Sequence, residues 1–106
     1  RSIGLDVISS GGIRSGLDVA KSLSLGASLA GTALPMLKPA TKDAKAVVRA
    51  MSPYLRALRI CMFLTGCRRA EELKGVPLVV LGRTREWLGA RGYDLNEFSA
   101  YRELTK

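Results

Sequence analysis

Histidine is absent from all 106 residues. That excludes Ser-His and Cys-His nucleophile pairs, histidine metal ligation and imidazole acid–base work from this stretch of chain. Cysteine is nearly as scarce. The two that occur, Cys61 and Cys67, lie six positions apart, which fits neither a Cys-x-x-Cys redox pair nor a zinc site. Two such thiols in a basic, apolar chain fit a reducing compartment, so a cytoplasmic location is expected. No run approaches the ~18 apolar residues of a membrane span; the longest, around 60–64 and 79–81, are core-sized, and no membrane partner is expected. Neither Gly-x-x-x-x-Gly-Lys nor Gly-x-Gly-x-x-Gly occurs, which removes support for a P-loop or a Rossmann dinucleotide site. The chain opens on Arg1-Ser2, with no Met and no signal-like apolar region, and is expected to be a piece of a longer protein.

What is present is an ordinary globular composition, 47% hydrophobic and 25% charged, with one domain expected at this length. Lys and Arg number 17 against 9 acidic residues, a formal charge of +8. The cluster Arg56, Arg59, Arg68 and Arg69 leaves open a small basic module that binds nucleic acid electrostatically. Solvated arginines, balanced by acidic residues elsewhere in a longer chain, are the plainer reading, and Arg83, Arg85 and Arg91 read the same way. Trp87, Phe98 and Tyr101 read as packing anchors.

The local pattern changes character near residue 40. Residues 5–9 are short, β-branched and bounded by glycines, which predicts a strand. Ser15 is placed to cap a helix running to about Leu25, with Asp18 in its first turn and Gly26 just beyond its end. Residues 28–34 predict a second strand, closed by Pro35. Strand, helix and strand in succession make a βαβ unit with parallel strands.

Beyond Pro39 the pattern is almost wholly helical. Ala44, Val47, Val48, Met51, Leu55, Leu58 and Met62 form a core stripe behind Thr41 as N-cap. Pro53 either kinks this helix or starts a second one capped by Ser52. Gly66 ends it, and a short helix over 69–73 stops at Gly75. Residues 76–81 fit a strand or an extended loop. Thr84 is placed to cap a helix over 85–88, and Asp94 to Glu97 has capping-box spacing before an apolar stripe of Leu95, Phe98 and Tyr101.

The chemistry lies in Ser10-Gly11-Gly12-Ile13-Arg14, at the junction of a parallel strand and a helix. Paired glycines let backbone amides approach an anion, and a side chain at Gly12 would block that approach. The following helix adds the positive end of its dipole, and Arg14 a forked, permanently charged donor. A tight turn beside a solvated Arg is the alternative. About twenty residues on, the second strand ends in Gly31-Thr32-Ala33-Leu34-Pro35. Consecutive βα loops of this kind form the phosphate site at the C-terminal face of a (β/α)₈ barrel, a fold of ~250 residues that this chain cannot complete. The expected class is therefore α/β: the last two strands of such a barrel with their helices, residues 1–40, then a mostly helical region, residues 41–106.

Ser10 to Lys21, then Leu25-Gly-Ala27 and Ala33-Leu-Pro35, resemble the FMN-dependent barrel enzymes: 2-hydroxy-acid oxidases, IMP dehydrogenases and type 2 isopentenyl-diphosphate isomerases. Met62-Phe-Leu-Thr-Gly66, Ala70-Glu-Glu-Leu73, Pro77-Leu-Val-Val80, Glu86-Trp-Leu88 and Arg91-Gly92 are similar to the C-terminal region of the isomerases in particular. The resemblance spans roughly residues 8–93. It implies an FMN phosphate held by Gly11, Gly12 and Ile13 through backbone amides, by Arg14 through its side chain, and by Ala33 and Leu34. It also implies NADPH to reduce the flavin, Mg²⁺ to hold the substrate diphosphate, isopentenyl and dimethylallyl diphosphates as substrate and product, and a homo-oligomer, tetramer or octamer. The family's metal-binding and substrate-binding residues lie in earlier loops, so no catalytic residue and no metal ligand is assigned here.

Overall fold

The computed structural model describes residues 4–101. Its first part is the expected parallel unit: β1 (Ile8–Ser9), α1 (Gly16–Ser24) and β2 (Leu29–Ala30), with Ile8 opposite Leu29 and Ser9 opposite Ala30. The regular strands are shorter than the stretches 5–9 and 28–34. Backbone bonds extend the pairing at both ends, from the Ser28 amide to the Val7 carbonyl and from the Gly31 amide to the Ser9 carbonyl, each 2.8 Å. Ser15 caps α1 as expected, its hydroxyl accepting the Asp18 amide at 3.2 Å.

Leu34 does not close a strand. It is the first residue of an unexpected helix, α2 (Leu34–Ala40). Pro35 reads as a stop in sequence, yet in the first turn of a helix its missing N–H is not needed. Thr41 then ends α2, its hydroxyl donating to the Lys38 carbonyl at 2.6 Å. The cap of the next helix falls instead to Asp43, whose carboxylate accepts the Ala46 amide at 2.7 Å.

That helix, α3 (Ala44–Thr65), is 22 residues long and passes through Pro53 without a break. Proline there removes the bond to the Arg49 carbonyl, but both residues face solvent, where water can take its place. Ser52 caps nothing; its hydroxyl donates back to the Val48 carbonyl at 3.1 Å. Gly66 ends α3, as expected. A 3-10 helix (Ala70–Gly75), an extended stretch over 76–81, α4 (Gly82–Ala90) and a 3-10 turn (Asn96–Ser99) complete the described chain. The region is mostly helical, although these connections make it less so than expected. Leu81, not Thr84, stands at the N-cap of α4. In place of a capping box, the Asp94 carboxylate accepts the Asn96 amide at 3.0 Å, a local turn.

The core lies between α1, α3 and the first 3-10 helix. Ala20, Leu23 and Leu73 are buried there, with Val19, Leu58, Cys61, Met62, Cys67 and Val76 packed around them. The predicted stripe on α3 is only partly core: Val48 and Leu55 are exposed, while Ala46 and Tyr54 are buried. Apolar residues occur on several faces of α3, and α1 covers the one that carries Tyr54, Ala57 and Leu58. Helix α1 comes so close that a Cβ on Gly16 would overlap the Tyr54 carbonyl and the Leu58 amide. Trp87 and Tyr101 are exposed and not packing anchors, because α4 and the following turn bury no residue. No helix among the described residues is long and apolar enough to cross a membrane.

Candidate functional site at two strand ends

Because β1 and β2 run parallel, the segments that follow them emerge at the same end of the sheet. After β1 the chain turns through Gly11 and Gly12, at φ of 86° and 77°. Two consecutive left-handed residues are strongly unfavourable for anything but glycine. No atom lies within 4 Å of a Cβ built on either. Within these residues it is therefore backbone conformation that demands glycine, and the space above the turn is open.

Ile13, only 8% exposed, anchors the turn. The amides of Gly11, Gly12 and Ile13 donate to no group among the described residues, whereas the Arg14 amide donates to Asp18 Oδ2 at 3.0 Å. Ser15 accepts the Asp18 amide and Asp18 the Arg14 amide, and together they close the start of α1. Arg14 keeps an exposed guanidinium with no ion-pair partner among the described residues. The first turn therefore offers unpaired amides at Gly11, Gly12 and Ile13, and an exposed side chain at Arg14.

At the second strand end, Ala33 holds the N-cap position of α2 and Leu34 its first helical position, both exposed. Pro35 has no N–H, and the Met36 amide turns back to the Ala33 carbonyl at 2.9 Å. Ala33 and Leu34 are left with amides that donate to nothing among the described residues. The two turns are joined by a residue the sequence did not single out. Thr32 Oγ1 donates to the Ile13 carbonyl at 2.8 Å, across 19 positions. A hydroxyl among the small residues of Gly31-Thr32-Ala33 was the available signal, but its partner depends on the strand pairing.

Five unpaired amides, an open approach and a free guanidinium fit a phosphate group, which offers only acceptors and negative charge. Two of the other arginines are engaged locally. Arg69 faces Glu71 at 3.6 Å and Glu72 at 3.9 Å, and Arg91 lies over the Trp87 ring at 5.6 Å. Among the described residues no group of three or more His, Cys, Asp or Glu could hold a metal ion.

Residues 2–79 match the FMN-dependent dehydrogenase family, and the chain belongs to it. Within that class, three relatives share the name isopentenyl-diphosphate delta-isomerase. The chain is 54% identical to the isopentenyl-diphosphate delta-isomerase of Methanothrix thermoacetophila, over 93% of this chain and 28% of that protein. It is 45% identical to the isopentenyl-diphosphate delta-isomerase of Methanosarcina barkeri, over 92% of this chain and 27% of that protein. For the Pyrococcus furiosus protein of the same name the identity is 49%, over 92% and 25% respectively. The resemblance to the isomerases thus holds over nearly the whole chain, helical half included. The chain spans about a quarter of the length of these relatives.

Proposed function

We propose that this chain is the C-terminal part of an FMN-dependent (β/α)₈-barrel isomerase that interconverts isopentenyl diphosphate and dimethylallyl diphosphate. Its own task is to hold the FMN phosphate. The observation that carries this reading is the pair of strand ends, joined by the Thr32–Ile13 bond, that between them leave amides unpaired at Gly11, Gly12, Ile13, Ala33 and Leu34, with Arg14 exposed in the first turn. The shared name of the relatives favours the isomerase over the other FMN barrel chemistries, oxidation of 2-hydroxy acids or dehydrogenation of IMP.

In this reading residues 1–40 form the phosphate-binding part, and residues 41–106 cover the outside of the barrel and contribute subunit contacts to a homo-oligomer, tetramer or octamer. When bound and reduced, FMN supplies acid–base chemistry at its N5 region. The chain's residues fix the phosphate tail, so that the ring is presented to the substrate at a constant depth. Proton transfer, the Mg²⁺ that holds the diphosphate, and the NADPH that reduces the flavin belong to residues outside this segment, in a cytoplasmic enzyme.

Turnover by the full-length protein tests the reading. Purified protein should show a flavin absorption spectrum and, once reduced, convert isopentenyl diphosphate to dimethylallyl diphosphate, with no oxidation of 2-hydroxy acids or IMP. A flavin-free protein that binds nucleic acid, or one that oxidises a hydroxy acid, would contradict it.

A further inference from the structure

We infer that Thr32 is a positioning residue for the FMN phosphate: its hydroxyl clamps the first turn against the second, so that both sets of free amides face one anion. The inference rests on the reading of these turns as a phosphate site. Gly11 and Gly12 form the most adaptable stretch of backbone at the site, since neither has a side chain to restrict it. A turn of that kind loses affinity unless something orders it before the ligand arrives.

The order comes from the peptide unit between Ile13 and Arg14. Its carbonyl accepts from Thr32 Oγ1 at 2.8 Å, and its N–H donates to Asp18 Oδ2 at 3.0 Å. One end of this peptide plane is thus tied to the second turn and the other to the first turn of α1. The buried Ile13 side chain prevents the segment from lifting away. With that plane fixed, the Cα positions of Ile13 and Arg14 are set, and with them the end point of the glycine turn and the root of the Arg14 side chain. Among the described residues no other side-chain hydrogen bond spans the two turns. The role needs a hydroxyl donor, and it acts on the phosphate alone.

Flavin titration of the full-length protein tests this, using FMN and riboflavin, which has the same ring system without the phosphate. Thr32→Val keeps the branched shape but removes the donor, and Thr32→Ser keeps the donor. Thr32→Val should weaken FMN binding about two- to tenfold, the range of one neutral hydrogen bond, and leave riboflavin binding unchanged. Thr32→Ser should bind both flavins as the unaltered protein does. Unchanged FMN affinity in Thr32→Val, equal loss of both flavins, or a Ser variant as weak as the Val variant would each overturn the positioning role. Arg14→Ala, titrated in parallel, separates the two levels. If it weakens FMN binding while Thr32→Val does not, the clamp alone fails; if the unaltered protein binds FMN no more tightly than riboflavin, the phosphate reading fails with it.

Discussion

At Arg14 the backbone and the side chain have separate tasks. The amide belongs to the start of α1, where Asp18 accepts it, and only the guanidinium remains for a ligand. A hydrogen bond to a charged group contributes roughly 1.5–3 kcal/mol. Arg14→Ala in the full-length protein is therefore expected to weaken FMN binding by about ten- to a hundredfold, with little change in unfolding midpoint because the side chain is exposed. Fluorescence titration reads the affinity, and an unchanged value would leave the site to the amides alone. Gly11, Gly12 and Arg14 are legible in the sequence because what they supply is local: backbone freedom, unpaired amides and a fixed charge. Thr32 is not legible, because its partner is set by the strand pairing.

Among the elements, the contact between α1 and α3 decides how the strand–helix–strand unit sits on the helical part. Gly16 is where the two backbones meet, with the Tyr54 carbonyl and the Leu58 amide occupying the space a Cβ needs. On an open helix, Gly→Ala would stabilise by up to ~1 kcal/mol. At Gly16 the sign should reverse, since forcing a methyl against backbone moves the helices apart and costs about 1–3 kcal/mol. The urea midpoint of full-length Gly16→Ala should therefore fall; a midpoint that holds or rises would show that the helices can separate freely. The ends of α1 and α3 were legible from Ser15 and Gly66. Helix α2 was not, because proline in a first turn and proline after a strand look alike in sequence. Thr41 and Asp43 are both capping types two positions apart, and only the geometry assigns the cap of α3 to Asp43. The stripe on α3 misled for a related reason: the spacing shows that the helix has apolar faces, but packing against α1 decides which is buried.

For the molecule as a whole, the exposure of the two strands goes with the length of the chain. Ile8 and Leu29 are 66% and 61% exposed on a sheet of two strands, and relatives about four times as long share the sequence. In the proposed barrel, neighbouring strands cover these residues. The most direct test of the account is a crystal structure of the full-length protein with FMN. The account predicts phosphate oxygens at ordinary hydrogen-bond distance, about 2.7–3.2 Å, from the amides of Gly11, Gly12, Ile13, Ala33 and Leu34, with the Arg14 guanidinium paired to the same group. An FMN phosphate held by other loops, with these amides facing solvent, would contradict it.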